Sequence, residues 1–117
     1  LWQTVNEESG EAEAIVEIWE ENDELQGKIV ELLNPEDPNP LCAECKDEKK
    51  DQPIIGLTII WGLSENGTGW EDGYILDPNN GVTYNSNLKI NERGELEVRG
   101  FVGFAVLGRT QVWYRAE

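Results

Sequence analysis

The chain has 117 residues, with 9 basic and 24 acidic side chains and no histidine, so its formal charge at neutral pH is −15. This length fits one domain spanning 1–117, and a hydrophobic content of 38% with five tryptophans is enough for one core. The missing histidine excludes Ser-His and Cys-His catalysis and histidine-ligated metals, and the negative charge disfavours nucleic acids and anionic membranes as partners. Since no apolar run approaches the roughly 18 residues of a membrane span, no membrane insertion is expected.

The first third of the chain predicts three strands. Leu1–Val5 is apolar and strand-like, and Ala12–Ile18 alternates apolar with mostly acidic residues, which is the period of a strand with one buried face. Asn22-Asp23 supplies a turn toward Leu25–Leu33, so the second and third segments form a hairpin. This third of the chain carries ten acidic residues against Lys28 alone, which predicts an acidic outer face.

A proline-rich segment, 34–53, interrupts the strand pattern. It holds four of the five prolines and both cysteines, and proline cannot donate to a strand ladder. Loops this long are uncommon in compact domains unless they are functional or flexible, so we expect an ordered loop or a lid over one mouth of the fold. Cys42 and Cys45 permit a small disulfide loop, free thiols or a redox pair; their acidic neighbours favour the structural disulfide because a reactive thiolate needs positive surroundings.

The rest of the chain predicts five more strands. They are Ile54–Leu63, Tyr74–Leu76, Val82–Ile90, Glu95–Val102 and Thr110–Arg115, separated by turns rich in Asn, Asp and Gly. Eight sequential strands with short connections indicate an all-β antiparallel meander. Closing the meander into a small up-and-down barrel removes both sheet edges, so a barrel is the first interpretation and a sandwich the second.

The sequence offers no convincing catalytic or metal site. The glycines around Trp70 lack the lysine of a phosphate-binding loop and have acidic neighbours. Asp77–Gly81 has the residue types of a calcium loop, but its glycine falls one position early and no glutamate follows at the required distance. Zinc would need two more thiolate or imidazole ligands than the two cysteines provide. We therefore predict no catalytic residues, no metal, no cofactor and no enzymatic activity.

Side chains with apolar bodies and polar tips form a candidate ligand site, because small-molecule pockets commonly combine the two. The candidate residues are Trp61, Tyr84, Arg109, Gln111 and Trp113, together with the small residue Ser86, which leaves room beside them. Strand alternation puts Trp61 on the face of Ile59 and Leu63, and puts Trp113 on the face of Gln111. We expect both faces to point into the barrel. The alternative is that these side chains only fill its interior.

Several short motifs stand in a characteristic order along nearly the whole chain. They are Ile15-Val16-Glu17-Ile18, Gly27-Lys28-Ile29-Val30, Asn34-Pro35 with Cys42-x-x-Cys45, Ile60-Trp61-Gly62-Leu63, Gly73-Tyr74-Ile75-Leu76-Asp77-Pro78, Arg99-Gly100 and Leu107-Gly108-Arg109-Thr110-Gln111. In this order they resemble an uncharacterised family of small bacterial exported proteins, the domain-of-unknown-function family 2147. The resemblance implies a compact lipocalin-like barrel of the envelope or exterior without an agreed activity.

Leu1-Trp2 is similar to part of the Gly-x-Trp on the first strand of the lipocalin superfamily, where the tryptophan packs near an arginine of the last strand. The resemblance implies that Trp2 packs against Arg115. A closed antiparallel meander leads to the same expectation, because its first and last strands are neighbours.

Two functions are compatible with these features. The first is a noncatalytic extracytoplasmic binding protein that holds a small apolar or amphipathic ligand in the barrel or beneath the loop 34–53. The alternative is an envelope protein with a filled barrel that acts through surface protein–protein interactions, using the acidic face toward a basic partner. The chain starts without methionine at the apolar Leu1–Val5, as expected after removal of a leader or after trimming of the sequence. The family resemblance implies the envelope or the exterior, so a periplasmic or secreted location is expected for either function.

Overall fold

A computed structural model describes residues 1–6, 9–33, 40–103 and 108–116. Its strands are β1 (Trp2–Val5), β2 (Ala12–Glu21), β3 (Glu24–Leu32), β4 (Thr58–Glu65), β5 (Trp70–Asp77), β6 (Val82–Ile90), β7 (Leu96–Phe101) and β8 (Arg109–Arg115). Each strand pairs antiparallel with the next, and β1 also pairs with β8, which closes the barrel. The predicted all-β up-and-down barrel is therefore confirmed.

The turns fold as their residue types dictate. Asn22 and Asp23 connect β2 to β3 with φ angles of 54° and 67°, the left-handed values that a two-residue hairpin loop requires. Between β6 and β7, the Asn91 side chain accepts the backbone N–H of Arg93 and of Glu95. Hydrogen bonds from the Asn91 and Arg93 side chains to the Glu95 carboxylate lower the pKa of Glu95 below its ordinary value.

One end of the barrel, which we call the closed end, is filled by large apolar side chains. It comprises the start of β1, β3, β5 and β7 and the finish of β2, β4, β6 and β8. The fully or nearly fully buried side chains here are Ile60, Leu63, Leu88 and Leu96, with Ile18, Leu25 and Trp70 packed against them. This end therefore has the filled interior of a small eight-stranded barrel.

Trp2 and Arg115 lie at the closed end, where β1 meets β8. They are direct partners in the strand register, and the Arg115 guanidinium lies 4.9 Å from the centre of the Trp2 ring. Arg115 Nε also donates a hydrogen bond to the Gly94 carbonyl, at 3.3 Å. The contact is the one that the lipocalin resemblance and the meander topology both led us to expect, and it links the first strand, the last strand and the β6–β7 turn.

Strand β4 departs from the alternation expected for it. The strand begins at Thr58, four residues later than predicted, and its register with β3 skips Ile59. Gly62, with a φ of 77°, interrupts the alternation a second time. As a result Ile60 and Leu63 both point inward, and Trp61 points outward. The expectation that Trp61 shares the inward face of Ile59 and Leu63 is wrong because a bulge on each side of Trp61 changes the phase of the strand.

Candidate functional site

The opposite end of the barrel, which we call the open end, contains a cavity of about 970 Å³. Strands β1, β3, β5 and β7 finish here, and strands β2, β4, β6 and β8 begin here. Several inward-facing residues at this end are small, among them Thr4, Ala12, Ala14 and Gly100. Small side chains at these positions leave the interior unfilled, whereas larger side chains fill the interior at the closed end.

The floor of the cavity is apolar. It is formed by Trp113, Val16, Ile29 and Val98, none of which is more than 4% exposed to solvent, and Ile59 and Ile75 continue this surface up the wall. Trp113 lies opposite Leu96 in the strand register, so its indole separates the cavity from the filled closed end. An apolar ligand entering from the open end would contact this floor.

Strands β6 and β8 contribute the polar side chains Tyr84, Arg109 and Gln111 to the cavity wall. Arg109 and Gln111 share the inward face of Trp113, because they pair with Gly100 and Val98 across β7. Gln111 Oε1 accepts a hydrogen bond from Trp113 Nε1 at 3.2 Å. On the other side of Gly100, the Tyr84 hydroxyl oxygen accepts a hydrogen bond from Asn80 Nδ2 at 3.1 Å. Polar tips therefore stand above an apolar floor.

The rim of the cavity carries more negative than positive charge. Asp77, Glu11 and Glu13 line it together with Arg109. The Asp77 carboxylate accepts the backbone N–H of Asn79, which holds the β5–β6 turn at the rim. Glu13 accepts a hydrogen bond from the Asn6 side chain at 3.3 Å. A ligand that enters the barrel passes this acidic rim before it reaches the donors of the wall.

Four of the six predicted ligand-site residues line the cavity: Tyr84, Arg109, Gln111 and Trp113. Trp61 does not, because it lies on the outer surface, with its ring 5.9 Å from that of Tyr74 and with Lys49 Nζ 4.9 Å from its centre. Ser86 faces inward but is fully buried, away from the cavity, between Gly73 and Gly100 of the adjacent strands. The predicted ligand-binding roles of Trp61 and Ser86 therefore do not fit this cavity.

The cavity also has members that the sequence analysis did not single out. Strands β2, β3 and β7 contribute Val16, Ile29 and Val98 to it. The period-two pattern that predicted the strands also places these residues on the inward face of their strands. The missing step was to list the inward-facing residues of these three strands beside those of β6 and β8.

The cysteine loop, residues 40–53, contains the Cys42–Cys45 disulfide and the short 3-10 helix Asp47–Lys49. Both cysteines are buried, and Cys42 Sγ lies 3.8 Å from the Pro78 carbonyl. The Glu44 carbonyl packs so closely on Gly81 that no side chain would fit there. Residues 34–39 lie outside the described residues. Residues 40–53 pack mainly on the outer surface of β4–β6, and among them only Pro40 lines the cavity, so the interpretation as a lid over the mouth is not supported for these residues.

Within the described residues, no group of three or more Cys, Asp or Glu side chains is arranged to hold a metal ion. The described part of the chain likewise contains no helix that is long and apolar enough to cross a membrane. The features that distinguish the open end are thus the cavity, its apolar floor and its polar wall.

Residues 1–115 match the profile of an uncharacterised protein family conserved in bacteria, DUF2147. The chain belongs to the DUF2147 family. This confirms the resemblance carried by the ordered motifs. The DUF2147 barrel is also similar to a solved Helicobacter pylori protein described as a member of the lipocalin family, with a TM-score of 0.85 and 17% identity over 99% of this chain and 80% of that chain. At this identity the likeness shows a shared lipocalin-like fold. No curated protein matches the DUF2147 chain.

Proposed function

We propose that this protein is a noncatalytic extracytoplasmic binding protein that holds one small apolar or amphipathic molecule at the open end of its barrel. The observation that carries the proposal is the cavity of about 970 Å³, with its apolar floor and the polar side chains of its wall and rim. Ligand sites usually have this combination and a volume of about 300 to 1,000 Å³. The lipocalin-like fold supports the proposal, because eight-stranded barrels can enclose one small ligand.

An extracytoplasmic location is supported by the Cys42–Cys45 disulfide. Disulfides persist in the bacterial periplasm and outside the cell, whereas cytosolic thiols are kept reduced. The bacterial family and the shared fold agree with such a location. The protein would therefore meet its ligand in the periplasm or outside the cell.

The alternative function, a filled barrel that acts through its surface, requires a solid interior. The closed end has such an interior, since Ile60, Leu63, Leu88 and Leu96 are all nearly or fully buried there. The open end contains the cavity instead. This asymmetry favours ligand binding over a purely surface-acting protein.

The test is a fluorescence titration with the neutral dye N-phenyl-1-naphthylamine, using the protein and two single variants. Gly100→Leu puts a side chain into the cavity: a Cβ at Gly100 would lie 3.7 Å from both Ile75 and Tyr84, an ordinary contact, and the remaining atoms would occupy cavity space. Ser64→Leu adds the same side chain at an exposed position of β4 and is the matched control.

We expect saturable dye binding by the unmodified protein and by Ser64→Leu. Gly100→Leu should bind at least about tenfold more weakly while keeping the same circular dichroism spectrum, because the leucine side chain occupies space in the cavity. A tenfold loss corresponds to about 1.4 kcal/mol in binding free energy. Absence of saturable binding by the folded, unmodified protein would refute the proposed function. Equal binding by both variants would show that the dye binds outside the cavity.

A further inference from the structure

We infer that the cavity selects an uncharged ligand whose polar group is a hydrogen-bond acceptor, such as the carbonyl of an apolar ketone, aldehyde or ester, and that Gln111 is the residue that determines this preference. The inference rests on the proposed function and specifies the chemical class of the ligand. It follows from how the wall of the cavity presents its hydrogen-bonding groups.

The orientation of the Gln111 amide is set by Trp113. The Trp113 side chain is 3% exposed, and a buried indole N–H needs an acceptor. An indole N–H can only donate, so the Gln111 atom facing it at 3.2 Å has to be the carbonyl oxygen and not the amide nitrogen. The amide nitrogen, Nε2, is therefore directed away from Trp113.

Gln111 Nε2 is available to a ligand. Gln111 lines the cavity and is an exposed residue, and among the described residues its Nε2 donates to no protein atom. Unlike a freely rotating amide, this one cannot turn its oxygen toward the cavity without leaving the buried Trp113 N–H unpaired, which costs about 1 to 3 kcal/mol. Gln111 thus presents a fixed donor.

The neighbouring polar groups strengthen this donor character. Arg109 lies two residues nearer the open end on the same face of β8, and its guanidinium has donors and no acceptor. The Tyr84 oxygen already accepts a hydrogen bond from Asn80, so its own proton can be donated to a ligand. A carbonyl oxygen has two lone pairs, so it can accept a hydrogen bond from Gln111 and one from a second donor.

The charge of the chain narrows the class further. The donors of the wall would also suit a carboxylate, but the acidic rim residues Asp77, Glu11 and Glu13 and the formal charge of −15 oppose the entry of an anion. The same rim would attract an ammonium group, which has no acceptor for Gln111 or Arg109. The wall therefore favours a carbonyl over an amine, whereas the rim favours an amine over a carbonyl. Comparing the binding of a carbonyl compound and an amine shows which of the two effects dominates.

The experiment measures displacement of N-phenyl-1-naphthylamine by three probes with similar apolar bodies. Butyrophenone carries a carbonyl, 4-phenylbutylamine carries an ammonium group, and butylbenzene carries no polar group. We expect butyrophenone to displace the dye at about three to ten times lower concentration than butylbenzene, since one net hydrogen bond contributes about 0.5 to 1.5 kcal/mol. The amine should be the weakest of the three.

The decisive variant is Gln111→Glu, which keeps an oxygen for Trp113 and replaces the donor Nε2 by an acceptor. It should lose the preference for butyrophenone and bind the amine more tightly than the unmodified protein does. Gln26→Glu is the matched control, because it makes the same chemical change and adds the same charge on β3, outside the cavity. Its preferences should equal those of the unmodified protein.

An infrared measurement on the unmodified protein makes the test independent of how the variants fold. The carbonyl stretch of bound, ¹³C-labelled butyrophenone should lie at a lower wavenumber than in hexane, as expected for a carbonyl that accepts hydrogen bonds. A stretch at the hexane position, tightest binding of the amine, or equal displacement by all three probes would overturn the inference and leave the proposed function standing. If the dye does not bind at all, both the proposed function and the inference fail.

Discussion

The two ends of the barrel are built from the same eight strands but differ in the size of their inward-facing side chains. At the closed end these are large, as at Ile60 and Leu63, and both are completely buried. At the open end Thr4, Ala14 and Gly100 occupy equivalent inward-facing positions and border a cavity. Alternation thus determines which side chains point inward, and their volume determines whether the interior is filled.

The largest expected difference between the ends is the effect of shortening one aliphatic side chain. Leu63→Ala at the closed end should lower the free energy of unfolding by about 2 to 5 kcal/mol, because a fully buried side chain leaves an empty cavity behind. Ile75→Ala at the open end should lower it by only about 1 to 2 kcal/mol, because Ile75 is partly exposed and already borders the cavity. Urea unfolding of both variants measures the difference, and equal losses would show that the two ends are packed alike.

The disulfide should have the next largest effect. Replacing both Cys42 and Cys45 by Ala should reduce the free energy of unfolding by about 2 kcal/mol, the chain-entropy contribution of closing so short a loop. The intact mass of the protein after alkylation without a reductant shows whether the bond is present. Incorporation of two alkyl groups under those conditions would contradict the disulfide.

A smaller effect is expected for the contact that joins β1 to β8. Arg115 lies over Trp2 but is itself exposed, so the pair should contribute about 0.5 to 1 kcal/mol. The double-mutant cycle of Trp2→Leu and Arg115→Met, followed by thermal unfolding, isolates the contribution of the pair. A coupling energy of zero would mean that the strand pairing alone closes the barrel.

The smallest effect, and one of opposite sign, is expected for Ser86. Its hydroxyl is fully buried and has no hydrogen-bond partner among the described residues. Ser86→Ala removes an unpaired polar group, so the protein should be unchanged in stability or more stable by up to about 1 kcal/mol. Urea unfolding measures this change as well, and a loss above about 1 kcal/mol would indicate a bonded hydroxyl.

Much of the fold follows from the sequence by simple rules. Period-two alternation and turns such as Asn22-Asp23 predicted the eight strands, and closure of the meander predicted that Trp2 meets Arg115. The same alternation put Gln111 and Trp113 together on one face, and both line the cavity. These features depend on local periodicity, which a single sequence records directly.

The features that were missed depend on interruptions of that periodicity. Trp61 faces outward because the β3–β4 register skips Ile59 and because Gly62 has a positive φ. Neither bulge is visible in an apolar run that reads as one continuous strand. The position of the cysteine loop is set by its packing on Gly81, a contact between residues far apart in the sequence. Periodicity carries no information about such contacts.

The most direct test of a barrel filled at one end and open at the other uses the indole N–H signals of the five tryptophans in ¹⁵N-labelled protein. Trp113 forms the cavity floor, Trp2 lies at the closed end and Trp61 lies outside. On titration with the neutral probe butylbenzene, the Trp113 signal should shift saturably while the signals of Trp2 and Trp61 stay in place. A saturable shift of Trp2 or Trp61 with no change at Trp113 would contradict a binding cavity at the open end.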